Sequence, residues 1–167
     1  MTATKLMQAT TVVSAPIVEN IPERLTERPQ WVVWKLEKRD GKPTKVPHVA
    51  GGVGRASSTD LMSWRTFEEA VQALEGGCYD GIGFCFCSAD PFVGIDLDDC
   101  RDPETGAVEE WAEEMISSVK EGYVEISPSG SGIHIIVEGT VRGGGMRKGK
   151  LEMYGRDRFF TITGRIL

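Results

Sequence analysis

Gly81-Ile-Gly-Phe-Cys-Phe-Cys87-Ser-Ala-Asp90-Pro-Phe-Val93-Gly-Ile-Asp96-Leu-Asp98-Asp99 is the stretch on which the fold turns. Residues 81–87 and 91–97 are two apolar runs of strand length, separated by Ser88-Ala89-Asp90, a turn composition. Upstream, residues 31–36 (WVVWKL) read as another strand. Residues 39–53 form a loop punctuated by Gly and Pro, with a short extended piece at 44–46. Ser63 stands as the N-cap of an amphipathic helix bearing Phe67, Ala70, Val71 and Leu74, closed by Gly76-Gly77. Downstream, residues 102–106 make a turn, and residues 108–119 a second helix whose acidic first turns suit its dipole. Residues 123–127, 133–138, 150–154 and 158–163 follow as short strands joined by Gly-rich turns. The pattern is α+β, with about seven strands in hairpin-like pairs, helices packed on one side and no internal repeat. Residues 1–28 read as a loosely ordered leader.

The chain has 167 residues, which suggests one compact domain with a little left over. No apolar run approaches the roughly 20 residues of a membrane span, and the N-terminus lacks signal-peptide organisation, so a cytoplasmic location without membrane contact is expected. Cys78, Cys85, Cys87 and Cys100 form no CxxC pair, which argues against a structural zinc site and reads as reduced, apolar cysteine. The net charge of −6 disfavours a polyanionic partner at first sight, but the charge is segregated. Residues 31–55 carry six basic side chains against two acidic ones, and residues 142–158 repeat that balance. Between them, residues 60–125 hold 17 acidic side chains against three basic ones. The basic segments are either solvated loops or the two sides of a polyanion site around an acidic centre.

Three short patterns carry the chemistry. In a strand over 91–97, Asp96 and Asp98 share a face while Val93, Ile95 and Leu97 take the other. Paired carboxylates are uncommon in strands and become intelligible around a divalent cation, hard oxygen ligands suiting Mg²⁺ or Mn²⁺. The other reading is a strand end running into an acidic turn. Ser127-Pro-Ser129-Gly-Ser131-Gly leads into Ile133-His134, a turn whose backbone amides could cradle phosphate beside an imidazole, although a lone histidine is more often structural. Lys150, Glu152 and Tyr154 alternate with Leu151 and Met153, and Glu152 is either a third carboxylate for the metal or half of a cross-strand ion pair. Tyr154 suits a base, a sugar or the core.

In this order the motifs resemble the archaeo-eukaryotic primase superfamily, and more closely the primase-polymerase domains of phages and plasmids. The similarity rests on GIGFCF (81–86), DPFVGIDLDDCRDPETG (90–106), EISPSGSGIHIIV (125–137), GKLEMYGRDRFFTITG (149–164) and an upstream WVVWK (31–35) with KVP (45–47). It implies a primase-polymerase palm with an RRM-like antiparallel sheet and a smaller αβ unit over residues 29–167, as part of a longer protein with a downstream helical or helicase domain. It further implies template-directed nucleotidyl transfer in phage or plasmid replication, within the infected or plasmid-bearing cell. The substrates would be nucleoside triphosphates and a single-stranded template or primer-template. The family's two divalent ions, Mg²⁺ or Mn²⁺, would be held by residues matching Asp96, Asp98 and Glu152, with His134 at the triphosphate. Ser127, Ser129 and Ser131 of the turn join Lys35, Lys45, Arg156 and Arg158 as candidate nucleotide contacts. A non-catalytic palm that binds nucleotide or single-stranded DNA, as replication accessory or inhibitor, is the alternative. A rolling-circle nuclease would need a His-x-His pair, and the sequence has His134-Ile-Ile.

Overall fold

Trp31, Val32, Val33 and Trp34 are buried one after another, as are all six residues from Gly81 to Phe86, so both runs must have protein on each face. In the computed structural model, which describes residues 13–167, they are central strands of one of two antiparallel sheets. The chain forms α1 (Glu23–Thr26), β1 (Trp31–Arg39), β2 (Lys42–His48), α2 (Phe67–Glu75), β3 (Gly81–Phe86), β4 (Phe92–Leu97) and α3 (Glu110–Ser118). It continues through β5 (Tyr123–Ile126), β6 (Ile133–Glu138), β7 (Gly145–Lys148), β8 (Leu151–Tyr154) and β9 (Arg158–Ile162). A four-stranded sheet runs β2-β1-β3-β9 and a five-stranded sheet runs β5-β6-β4-β8-β7. The fold is α+β, as the sequence pattern indicates.

The two sheets share a core. Trp31, Val33, Ile82, Phe84, Phe86 and Phe160 of the first meet Phe92, Tyr123 and Ile136 of the second. The opposite face of the five-stranded sheet, with Val93, Ile95, Leu97, Ile133 and Ile135, is covered by Ala112, Trp111, Met115 and Ile116 of α3. Gly94 lets the sheets close. A Cβ there would lie 2.6 Å from Phe86 and 2.7 Å from Phe160, and neither ring has room to retreat. Helix α2 lays Phe67, Ala70 and Leu74 against the same shared core, with the Phe67 ring 4.9 Å from that of Trp31.

Four expectations change. First, β3 and β4 do not pair as a hairpin: each belongs to a different sheet, and so do β8 and β9. Asp90 makes the first crossing, accepting hydrogen bonds from the Cys87 and Phe92 amides and from Gln30 Nε2, which pins a sharp corner where a hairpin turn would otherwise stand. Second, the N-cap of α2 is Thr66 in a reciprocal capping box with Glu69, while Ser63 belongs to a preceding single turn of 3₁₀ helix. Third, the described part of the leader is packed. Ile21 and Leu25 are buried in the shared core, and the Trp31 indole N–H donates to the Leu25 carbonyl. Ile21 stands in extended backbone just ahead of that single helical turn, and Leu25 is the turn's buried residue. Residues 1–12 lie outside the described residues. Fourth, a further strand, β7, flanks β8, its four residues all exposed at the sheet edge. Polar and glycine-rich, it has no apolar alternation to betray it.

Candidate active site

The register of the five-stranded sheet lines up one chemically distinctive residue from every strand. Glu125 of β5 is opposite His134 of β6, His134 is opposite Asp96 of β4, Asp96 is opposite Glu152 of β8, and Glu152 is opposite Arg147 of β7. Directly opposed residues project to the same side of a sheet, so this polar row sits on the face that turns toward the other sheet. The neighbouring row, two residues along each strand, is Tyr123, Ile136, Gly94, Tyr154 and Gly145; the first three belong to the inter-sheet packing, while Tyr154 borders the cleft. The shared face is thus core at one end and charged at the other.

Above the charged end opens a cleft of about 490 Å³. Asp96, His134, Glu152 and Tyr154 form its floor on one sheet, and Lys45, Arg39, Phe160 and Arg158 close it from the other, with Arg55 and Ser57 on the connecting loop. Basic side chains from both cationic segments therefore converge here. Asp96 feels the crowding. Burial raises its carboxyl above the ordinary carboxylate range, and the Asp98 and Glu152 carboxylates push it further up against the opposing pull of His134 and Lys45. Lys45 is exposed at the rim, yet desolvation of its ammonium lowers its pKa from the lysine range, with Asp96 and Asp98 drawing it back.

Glu152 is buried and well satisfied. Its Oε1 meets Arg147 Nε at 3.0 Å, while Oε2 accepts from the Tyr154 hydroxyl at 2.6 Å and lies 3.5 Å from the Arg158 guanidinium. Arg158 also stacks 4.3 Å over the Tyr154 ring. Burial, with Glu152 beside it, raises the Tyr154 hydroxyl pKa. Among the described residues no three His, Cys, Asp or Glu side chains are gathered as a ready-made metal cage.

His134 is buried, 5.1 Å from the Phe160 ring, with Nε2 3.7 Å from Asp96 Oδ1 and Nδ1 3.1 Å from Glu125 Oε1. Glu125 is wholly buried. Its Oε2 accepts from the Tyr123 hydroxyl at 2.6 Å and from the backbone amides of Thr163 and Gly164 at 2.8 and 2.9 Å.

Of the residues singled out in the sequence, Asp96, His134, Glu152, Lys45 and Arg158 thus share one cleft. Strand β4 stops at Leu97, so Asp98 lies in the following turn, exposed, with its amide donating to the Lys150 carbonyl. The alternation that pairs Asp98 with Asp96 is carried by that one extra ladder bond. Lys150 departs from the face of Glu152, its ammonium reaching the Asp99 carbonyl.

Several candidates are placed elsewhere. Lys35 alternates with the cleft-lining side of the β1–β2 pair and sits 5.0 Å over the Tyr79 ring. Arg156 is not in the cleft lining but in an adjoining groove with Gly143, Gly144 and Arg147, which meets the cleft at Tyr154 and Arg158. Ser127, Ser129 and Ser131 are outside the cleft lining, their hydroxyls spent on one another in a 3.0 Å chain and on the Gly132 amide. The turn is held by Arg101 on the Gly130 carbonyl and Arg165 on the Ser127 carbonyl, so its polarity serves its own closure. Glu125 is the residue that motif reading passed over. Its only signal is strand parity, an acid sharing a face with Tyr123 one turn away from His134.

Acids and a histidine in one row of an antiparallel sheet, faced by arginine and lysine from a second sheet, give an α+β, palm-like domain with a charged cleft. No protein-family model matches the chain. The chain is 38% identical over 148 residues to the DNA primase-polymerase of Nitratiruptor phage NrS-1, a similarity that covers 85% of this chain and 20% of that protein. On that similarity the chain is a domain of the phage primase-polymerase type, spanning about one fifth of the relative's length.

Proposed function

We propose that this domain carries out template-directed nucleotidyl transfer, as the polymerising part of a DNA primase-polymerase of phage or plasmid replication. The observation that supports this most is the placement of Asp96, Glu152 and His134 side by side across three strands, beneath cations from both basic segments. The similarity to the NrS-1 DNA primase-polymerase points the same way.

The donor set fits Mg²⁺ or Mn²⁺. Asp96, Asp98 and Glu152 offer hard oxygens, and a cation between them would relieve the repulsion that raises the Asp96 carboxyl. A pair of such ions, when bound, would acidify a primer 3′-hydroxyl and offset charge on the departing pyrophosphate. The protein's own part is to orient the substrate. Lys45, Arg39 and Arg158 surround the space where a triphosphate would lie, His134 Nε2 faces it from the floor, and the Tyr154–Arg158 stack offers a wall for the sugar and base. Nucleoside triphosphates and a single-stranded template or primer-template are the substrates this reading assigns. It places the protein in the cytoplasm of an infected or plasmid-bearing cell, and among the described residues no helix is long and apolar enough to cross a membrane.

One observation favours the alternative, a palm that binds nucleotide or single-stranded DNA without catalysis: Arg147, Arg158 and Tyr154 already satisfy Glu152. Primer extension separates the two. Incubation of primed template with dNTPs and Mg²⁺ or Mn²⁺ is expected to lengthen the primer, and the combined change Asp96→Ala and Asp98→Ala to abolish it. DNA binding that is metal-independent and accompanied by no synthesis would favour the non-catalytic reading.

A further inference from the structure

We propose that Glu125 is a positioning residue for His134, fixing which ring nitrogen faces the cleft and coupling that choice to the last strand of the other sheet. The inference rests on the nucleotidyl-transfer reading for its purpose, but its geometry stands by itself. A wholly buried carboxylate is costly unless every lone pair is used. Here Oε2 accepts three hydrogens, from Tyr123, Thr163 and Gly164, so it holds no proton of its own. Only Oε1 is left for His134, and it meets Nδ1 at 3.1 Å. The hydrogen between them belongs on Nδ1, which donates to the carboxylate.

That assignment frees Nε2 for the cleft, where it stands 3.7 Å from Asp96. Anchoring Nδ1 on Glu125 sets the plane of the ring, and with it the direction in which Nε2 meets the cleft. Glu125 is itself immobile, since two of its donors are consecutive backbone amides just beyond β9. Gly164, at φ +66°, brings the chain so close to Ile17 that a Cβ would fall 2.0 Å from the Ile17 carbonyl oxygen. The imidazole is therefore referenced to both sheets at once.

Glu125→Gln tests this with little change of shape. Its amide oxygen must take the place of Oε2 against the two backbone amides, which turns the NH₂ group toward His134 and makes Nδ1 an acceptor. The ring hydrogen then moves to Nε2. The protein has only two histidines, so ring ¹⁵N NMR reads the change directly. His48 is an internal reference, because it meets Glu37 through Nε2 at 2.7 Å. The wild type is expected to show a hydrogen on Nδ1 of His134, lost in Glu125→Gln. Affinity for dATP with Mg²⁺, by calorimetry, is expected to fall roughly 10–100-fold in Glu125→Gln. In a His134→Ala background the same change should have no further effect. An unprotonated Nδ1 in a wild type that binds dATP overturns the positioning role, as does equal weakening in the His134→Ala background. Failure of the wild type to bind dATP sinks the nucleotidyl-transfer reading, and the purpose assigned to Glu125 with it.

Discussion

Replacing Asp96 by asparagine keeps the side chain's size and removes one negative charge from a site directly opposite Glu152 and within the field of Asp98. In the metal-free protein that charge is a burden. Asp96 lies directly opposite Glu152, and such pairs hold their Cβ atoms about 5 Å apart. Two unit charges at that distance repel by roughly 3 kcal/mol in a partly wet protein environment. The Asp96 side chain is 25% exposed, and His134 and Lys45 offset part of the repulsion. A net gain of about 1–2 kcal/mol is left for Asp96→Asn, or ~3–6 °C in Tm for a domain of this size. The sign with pH follows from the raised carboxyl. The folded state holds the Asp96 proton more tightly than the unfolded chain, so wild-type stability falls as pH rises from the unfolded value, about 4, through the folded one. The advantage of the variant should be complete above that window and vanish below it. With Mn²⁺ the order is expected to reverse, because the ion proposed to lie beside these carboxylates would stabilise the wild type more than the variant. Thermal melts in EDTA and in Mn²⁺, between pH 4 and 8, read all of this. A variant less stable than wild type in EDTA, or equally stabilised by Mn²⁺, would refute the argument.

Arg158→Ala removes a cation from the cleft wall and a partner from Tyr154 and Glu152. It should raise the KM for dNTP about tenfold or more, equivalent to the ~1.5–3 kcal/mol of a charge-assisted contact, with the fold retained by circular dichroism. Lys35→Ala, on the far side of the β1–β2 pair, should leave that KM within about twofold, consistent with surface substitutions costing under ~0.5 kcal/mol. Gly94→Ala drives a methyl group into Phe86 and Phe160 and should cost about 1–3 kcal/mol in urea unfolding; a neutral result would mean the sheets are not closed there. Leu25→Ala should cost about 2–5 kcal/mol, showing that the segment ahead of β1 is part of the core.

Much of this protein is written along the chain. Continuous apolar runs locate β1, β3, β4 and β6, since a strand buried on both faces has no polar alternation to confuse it. The alternation within β4 and β8 sets Asp96 and Glu152 opposite to Ile95 and Met153, because side-chain direction in a strand is a local property of the backbone. Partner choice is not local. Which strand lies beside which is decided by the packing of Phe86, Phe92 and Phe160 around Gly94, and that packing sends β3 and β4 into different sheets. For the same reason the serines of the 127–131 turn look like phosphate ligands in sequence, whereas tertiary contacts from Arg101 and Arg165 engage their loop from behind. Glu125 shows the division most sharply. Strand parity alone puts it on one face with Tyr123, but only the arrival of β9, nearly 40 residues later, supplies the Thr163 and Gly164 amides that make a buried carboxylate tolerable beside His134. Residue type and direction are fixed by neighbours in the chain; pairing, and with it the chemistry of the cleft, is fixed by what packs across it.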